Sequence, residues 1–176
     1  SVCIMDADLR RASVSELTQL EGSVGLTSVL IGEATFEGAL QKWGSDDVEI
    51  LTSGVLPPNP GQLLTSSQMR SLVNTARANY DYVIIDRPPL LAVSDPLWLA
   101  PLVDGVIVVT RARRTRREAL VQSLKALEAA RTRVIGIVLN DARRTGKTPY
   151  YESDTKAVLR RKAKGSSAKS SARRSP

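Results

Sequence analysis

The sequence is short of the residues on which many enzyme classes rely. Its 176 residues include no histidine and a single cysteine, Cys3. These absences exclude a Ser/His/Asp triad, a Cys/His nucleophile, a histidine metal site and an internal disulfide. A lone thiol within an apolar strand pattern fits a reducing compartment. Any acid or base chemistry must therefore come from carboxylates.

Long apolar runs are also missing, and so is an even spread of positive charge. The longest apolar run has the length of a strand, far below the roughly 20 residues of a membrane span, and no signal peptide opens the chain. The formal net charge is +7, yet the segment from Glu152 to Pro176 holds eight basic and two acidic residues, a surplus of six. The sequence therefore predicts a basic tail rather than a basic face.

Five short apolar segments alternate with helical patterns. They are VCIMD (2–6), VEILTSG (48–54), YVIIDRPP (82–89), GVIVVTRA (105–112) and RVIGIVLND (133–141). Nearly continuous apolar runs of this kind are typical of strands that are covered on both faces of a parallel sheet. Strands joined by crossover helices predict a doubly wound α/β fold, with a mostly parallel sheet and helices on both faces, over residues 1–149.

Two amphipathic helices are predicted between these strands. The first has one apolar stripe at helical spacing, made of Met69, Leu72, Val73, Ala76 and Tyr80. The second begins with a capping box of Thr115 and Glu118, and its buried face consists of Leu120, Leu124 and Leu127.

Two further segments are predicted, one from residues typical of helix ends and one from its composition. Asp95 and Pro96 are expected to start a helical segment that ends near Pro101. Residues 150–176 are rich in Ser, Ala and basic side chains and have little to bury, which predicts a disordered tail.

Ligands of doubly wound sheets bind at the carboxyl ends of the strands. The residues at these positions are Asp6, Asp8, Thr52, Asp86, Arg111 and Asn140. The three aspartates can converge on one edge of the sheet, where oxygen ligands suit Mg²⁺ and Mg²⁺ in turn suggests a phosphate substrate. The alternative interpretation is that each aspartate is only a helix cap or a turn residue.

These segments resemble a known family. The stretch CIMDADLRR is similar to the Walker A′ motif of bacterial tyrosine kinases, the autokinases of capsule and exopolysaccharide export, and YVIIDRPP is similar to their Walker B motif. The run LPPNPGQLLTSSQMRSLV between them is the most specific part of the resemblance. The resemblance extends from Val2 to about Tyr151, and two residues, Gln62 and Arg87, depart from the family pattern.

The resemblance implies a role for each candidate residue. Asp6 would receive or orient the proton of the tyrosine hydroxyl, and Asp8 and Asp86, with Asp6 nearby, would hold Mg²⁺ directly or through water. Asn140 would contact the adenine of ATP, unless it is a simple turn residue. Arg10 would offer charge to phosphates, although a solvated helix start explains it equally well. Tyr150 and Tyr151 would be the tyrosines that accept the phosphoryl group in trans.

One part of the family pattern is not in the sequence. The family binds ATP with a glycine-rich loop upstream of the A′ motif, and no G-x-x-x-x-G-K-[ST] occurs in the 176 residues. Because the strand before that loop lies inside the family's sheet, its absence is expected to leave unpaired strand edges and an uncovered face. We expect the chain alone to be inactive, either as a fragment or as a binding subunit without a P-loop.

The resemblance also implies partners and a location. The intact protein would form rings of subunits on the cytoplasmic side of the bacterial plasma membrane, with a transmembrane polysaccharide co-polymerase segment or adaptor. One alternative is a partitioning ATPase of the ParA/MinD kind. Another is a noncatalytic module whose basic tail binds anionic lipid. The tail lacks interleaved aromatic residues, which argues against a nucleic-acid partner.

Overall fold

The computed structural model describes residues 1–44, 47–91, 99 and 102–142. All five predicted strands are present, and a two-residue strand that the sequence pattern did not indicate precedes the second of them. The strands are β1 (Val2–Asp6), β2 (Gln41–Lys42), β3 (Val48–Leu51), β4 (Tyr82–Asp86), β5 (Val106–Arg111) and β6 (Val134–Asn140). The helices are α1 (Val14–Thr18), α2 (Leu26–Leu30), α3 (Phe36–Ala39), α4 (Pro60–Leu64), α5 (Ser67–Asn79) and α6 (Arg117–Ala129).

Four strands form one sheet in the order β2-β3-β1-β4. The central strand β1 runs parallel to both β3 and β4, and Met5 lies opposite Leu51 on one side and Ile85 on the other. The short β2 pairs with β3 in the antiparallel direction. Parallel neighbours that are distant in sequence require crossover connections, so the predicted α/β architecture is observed.

The core of this sheet lies under α5. Ser66 begins the helix, because its hydroxyl accepts a hydrogen bond from the Met69 N–H at 3.2 Å. The predicted stripe is confirmed for four of its five members, while Tyr80 follows the last helical residue and is half-buried. Its members Met69, Leu72, Val73 and Ala76 are buried and form one cluster with Cys3, Met5 and Leu51. Full burial of a side chain of this size contributes about 1.5–3 kcal/mol, so this stripe holds α5 on the sheet.

The strands β5 and β6 form a separate parallel pair, and α6 connects the end of β5 to the start of β6. The predicted apolar face of α6 is only partly covered, since Leu127 is buried while Leu120 and Leu124 are half-buried. The predicted capping box was wrong. The helix begins at Arg117 after Arg116, and the Thr115 hydroxyl instead accepts a hydrogen bond from the Arg111 N–H at 2.9 Å.

Unpaired edges and uncovered apolar side chains are observed where the two sheets end. Within the described ranges, β4 has a strand partner on one side only, and β5 and β6 pair only with each other. Ile84 is 53% exposed and Val109 is 64% exposed. The apolar runs predicted strands that are covered on both faces of the sheet. For β4, β5 and β6 this prediction is wrong.

Several expectations lie outside the described residues. They concern Asp95, Pro96 and Pro101, the tyrosines Tyr150 and Tyr151, and the boundary at residue 149. Among the helices that the structure does describe, none combines the length and the apolar character that crossing a bilayer requires.

Candidate active site

The carboxyl ends of β1 and β4 lie side by side. Asp6 and Asp86 are register partners in these parallel strands, whose spacing is about 4.8 Å. The pairing continues one residue further, since the Ala7 N–H donates to the Asp86 carbonyl at 2.8 Å. Asp8 follows in the turn, and its charge acts on Asp86. The fold thus brings the three predicted aspartates to one edge of the sheet.

Asp6 is completely buried, and both oxygens of its carboxylate accept backbone N–H groups. One oxygen accepts the Asp8 N–H at 3.2 Å, and the other accepts the N–H groups of Ser13 and Val14 at 3.3 and 3.1 Å. The last two donors belong to the start of α1, where backbone N–H groups have no partner within the helix. Asp6 therefore fixes both the turn that carries Asp8 and the entry to α1.

Asp8 closes the turn that follows. One of its carboxylate oxygens accepts the N–H groups of Arg10 and Arg11 at 3.2 and 2.9 Å. Both arginine residues are exposed, so their side chains extend from this turn into solvent. Asp8 itself is half-buried, which leaves part of its carboxylate available to a ligand.

Asp86 is the most exposed of the three aspartates, yet its environment disfavours the charged form. Desolvation raises the pKa of its carboxyl group, and the nearby charges of Asp6 and Asp8 raise it further, while the Arg87 N–H acts in the opposite direction. Such a concentration of negative charge is the condition that a bound cation relieves.

Arg87, the departure from the family pattern, is half-buried beside this edge. Desolvation lowers the pKa of its guanidinium group. Its Nε atom is buried and has no hydrogen-bond partner among the described residues. Among the described residues, nothing explains why an arginine follows Asp86.

The other strand-end residues separate into two groups. Thr52 is buried, and its hydroxyl donates to the carbonyl oxygens of Glu21 and Val24 at 3.2 and 3.1 Å, so its role is structural. Asn140 and Arg111 are register partners at the ends of β6 and β5, and the Ala112 N–H donates to the Asn140 carbonyl at 2.8 Å. They belong to the two-stranded sheet, not to the sheet that carries the aspartates.

The sheet edge that carries Asp6, Asp8 and Asp86, here called the carboxylate edge, suits a hard cation but does not supply a complete set of ligands. Within the described ranges, no group of three or more His, Cys, Asp or Glu side chains is arranged to hold a metal ion. Mg²⁺ tolerates this, because it is usually bound by one or two carboxylates and keeps several waters. Asp8 and Asp86 are the residues that fit such a role, whereas Asp6 is completely buried.

The sequence analysis missed one strongly charged feature. The loop between β5 and α6 has five arginines within the seven residues 111–117, and all five are exposed. We call this segment the arginine loop. The prediction that positive charge lies in the tail rather than on a face overlooked it, because acidic residues elsewhere cancel it in the net charge. The run RARRTRR was the available signal.

Comparisons with known proteins identify the class to which this fold and edge belong. No protein-family model matches the chain. The chain is 37% identical over 155 residues to the tyrosine-protein kinase YwqD of Bacillus subtilis, an alignment that covers 88% of this chain and 65% of YwqD. The crystal structure of the VpsO kinase domain superposes with a TM-score of 0.76 at 34% identity, covering 81% of this chain and 70% of that domain.

The fold also appears in the septum site-determining protein MinD of Pyrococcus horikoshii, with a TM-score of 0.64 at 21% identity. That likeness concerns the fold alone. The level of identity to YwqD and to VpsO is higher and extends over most of the chain. The chain belongs to the bacterial tyrosine kinase family, and it spans 65% of the length of YwqD.

Proposed function

We propose that this chain supplies the A′ and B motifs of an autokinase that transfers the γ-phosphoryl group of ATP to tyrosine and thereby regulates capsule or exopolysaccharide synthesis and export. The observation that carries the proposal is the pairing of Asp6 with Asp86 at the end of two parallel strands, with Asp8 beside them. Membership of the tyrosine kinase family supports the same reading of this edge.

The three aspartates have different parts in this proposal. Asp8 and Asp86 hold Mg²⁺, directly or through water, and the ion supplies charge neutralisation at the transferred phosphoryl group. Asp6 keeps the turn of Asp8 in place through its three backbone hydrogen bonds. Receipt of the tyrosine proton by Asp6 would require the hydroxyl to reach a carboxylate that is completely buried, so in the observed conformation Asp6 orients its neighbours.

The remaining candidates keep the roles that the resemblance implies. Arg10 is exposed on the turn closed by Asp8 and offers a positive charge to phosphates. Asn140 contacts the adenine base, and Tyr150 and Tyr151 accept the phosphoryl group. The proposed assembly is a ring at the cytoplasmic side of the plasma membrane, with a transmembrane co-polymerase segment or adaptor, and the basic tail contacts anionic lipid.

A phosphate cradle has no counterpart in the printed sequence, which lacks a G-x-x-x-x-G-K-[ST] motif. The free edge of β4 and the exposed side chains of β5 supply a place for one further strand with its loop and helix. We propose that such a segment, from further residues of the protein or from a partner, is required before Mg-ATP binds. The chain by itself is then inactive.

Equilibrium binding of Mg-ATP tests this proposal. The 176-residue chain is compared with the same chain extended upstream through any P-loop that its gene encodes. We expect binding only by the extended form, and Asp86→Asn in that form should weaken the dependence of binding on Mg²⁺. Tight binding by the 176-residue chain would show that Mg-ATP binding does not require a further phosphate-binding segment.

Phosphate transfer separates the autokinase from a MinD-like ATPase. With γ-labelled ATP, the extended form should place label on tyrosine, and the change of Tyr150 and Tyr151 to Phe should remove most of it. Tyr82→Phe is the matched control, because Tyr82 is a 69% exposed tyrosine of β4. Release of free phosphate without labelled tyrosine would favour the ATPase.

A further inference from the structure

The arginine loop carries more positive charge than any other segment of equal length in the chain. Its seven residues include five arginines and no acidic residue. All five are exposed, and Arg113, Arg114, Arg116 and Arg117 form no ion pair within the described ranges. Like charges that are held this close repel one another, so the cluster is unfavourable unless an anion is near. The proposed kinase reaction assigns no role to this charge.

Backbone and hydroxyl contacts fix the path of the loop. The Arg111 carbonyl oxygen accepts the N–H groups of Arg114 and Thr115 at 3.2 and 2.9 Å, and the Thr115 hydroxyl accepts the Arg111 N–H at 2.9 Å. Arg113 has a φ of 64°, in the left-handed region that residues other than glycine rarely adopt. None of these contacts uses a guanidinium group, so the exposed side chains of Arg113 and Arg114 remain available to an anion.

The loop lies where the sign of the chain's charge changes. Residues 1–110 contain six basic and thirteen acidic residues, whereas residues 111–176 contain nineteen basic and five acidic residues. Arg111 and Asn140 are register partners at the ends of β5 and β6, and the basic tail follows β6. The loop and the chain that leads to the tail therefore leave the same edge of the two-stranded sheet. Charge asymmetry of this kind indicates contact with an extended anionic surface.

The residues around the loop favour a lipid surface over a nucleic acid. Between residues 99 and 149 the sequence has no Phe, Tyr or Trp that could stack on a base. The exposed face of α6 has mixed charge, with Glu118, Lys125 and Glu128, so no basic stripe continues from the loop along a helix. A membrane surface presents many phosphates to a compact cluster and requires neither feature.

We propose that the arginine loop binds the anionic headgroups of a membrane and gives the folded domain a lipid contact of its own, separate from the tail. Guanidinium groups donate to the headgroup phosphates, for which their paired N–H donors are suited. Anionic lipid repels the acidic residues 1–110, so the loop side of the domain faces the membrane. The proposal rests on the proposed location at the membrane but not on nucleotide binding, so it can fail while the kinase function stands.

Co-sedimentation of the 176-residue chain with lipid vesicles, without ATP, tests this contact. The vesicles are an equimolar mixture of phosphatidylglycerol and phosphatidylcholine, and vesicles of phosphatidylcholine alone are the reference. We expect binding to the anionic vesicles at low salt, and this binding should weaken as salt is added. The paired change Arg114→Gln with Arg116→Gln should weaken binding by about tenfold or more, because each arginine near an anionic surface strengthens binding about fivefold.

A matched variant removes the same charge elsewhere. Lys42→Gln with Arg70→Gln also lowers the net charge by two, at exposed positions of β2 and α5, and should change binding by about twofold or less. Equal effects of the two paired changes would show that net charge alone attracts the chain. Unchanged binding after the loop change would assign the contact to the tail alone. Either result overturns the proposal, as does absence of binding to the anionic vesicles.

The orientation of the bound domain supplies a second measurement. In a Cys3→Ala chain, an environment-sensitive fluorophore is attached at Gln122→Cys on α6 or at Thr75→Cys on α5, both exposed positions. Headgroup-labelled quencher lipids should quench the fluorophore on α6 more strongly than the one on α5, and equal quenching would contradict the proposed orientation. A duplex oligonucleotide serves as the competing probe. If the loop change weakens binding to the duplex but not to the vesicles, the partner is a nucleic acid and the proposal is wrong.

Discussion

The strands β1 and β6 are similar in apolar character but differ in cover. Cys3 and Met5 of β1 are fully buried, whereas Ile135, Ile137 and Leu139 of β6 are 60%, 51% and 58% exposed. The difference follows from their neighbours, because β1 lies between two strands and under α5, while β6 pairs with β5 alone within the described ranges. An apolar run therefore indicates a strand, but the elements around it determine whether its side chains are buried.

Thiol reactivity should show the largest difference between the two sheets. Burial raises the pKa of the Cys3 thiol to about 12 from 9.0, and the charge of Glu49 adds to the effect. Since the thiolate is the reactive form, this shift alone should slow alkylation of Cys3 at pH 8 about a thousandfold relative to an exposed thiol. The comparison is a Cys3→Ala chain with Val109→Cys on β5, treated with iodoacetamide.

Labelling in urea supplies the control for this comparison. Both thiols should react at similar rates once the chain is unfolded, because the environment that raises the pKa of Cys3 is then lost. Rapid labelling of Cys3 in the folded chain would contradict the description of β1 as the buried centre of its sheet.

Truncation of side chains tests the same comparison by stability. Met5→Ala removes a fully buried side chain from β1, the strand that lies between β3 and β4. We expect this change to lower the free energy of unfolding by about 2–5 kcal/mol. Val109→Ala removes an exposed side chain and should cost about 1 kcal/mol or less. Urea denaturation followed by circular dichroism measures both. Equal losses would mean that β5 is covered in solution.

Two glycines give a second pair of positions. A Cβ at Gly25 would lie 2.2 Å from the Thr52 carbonyl oxygen and 2.4 Å from the Gly54 nitrogen, so α2 or the end of β3 would have to move. We expect Gly25→Ala to destabilise the chain by about 3 kcal/mol, since backbone atoms cannot change rotamer. At Gly136 in β6, a Cβ would meet open space.

Gly136→Ala should therefore be neutral or raise the free energy of unfolding by roughly 0.5–1 kcal/mol, because glycine is unfavourable inside a strand. Thermal denaturation of the two variants compares them directly. A destabilised Gly136→Ala variant would indicate that another surface approaches β6 closely in solution.

Much of this fold could be predicted from local patterns. The five main strands and the buried stripe of α5 follow from residues close in sequence, such as Leu72, Val73 and Ala76. The division into two sheets depends on pairing between distant segments, so only the family resemblance indicated free edges. The capping-box prediction misplaced the start of α6, because the Thr115 hydroxyl accepts a hydrogen bond from the Arg111 N–H and does not cap the helix.

The convergence of the three aspartates was predicted from the sequence, but their hydrogen bonds were not. Strand ends placed Asp6, Asp8 and Asp86 together, because parallel strands finish at the same edge of a sheet. The sequence could not show that the Asp6 carboxylate accepts hydrogen bonds from the N–H groups of Ser13 and Val14, seven and eight residues further along. Such bonds depend on the path of a loop, which has no periodic signal.

Asp6 and Asp86 give a comparison between a buried and an exposed position within the carboxylate edge. Asp6→Asn keeps one oxygen but replaces the other with an NH₂ group, which then faces backbone donors. We expect a loss of about 1–2 kcal/mol in the free energy of unfolding. Asp86→Asn removes a disfavoured charge from a site crowded by Asp6 and Asp8, so stability at pH 7 should stay the same or rise by no more than roughly 0.5 kcal/mol. Urea denaturation of both variants without added Mg²⁺ measures the difference. If the two substitutions have equal effects, Asp6 does not organise the turn of Asp8, and its carboxylate is free to serve the tyrosine directly.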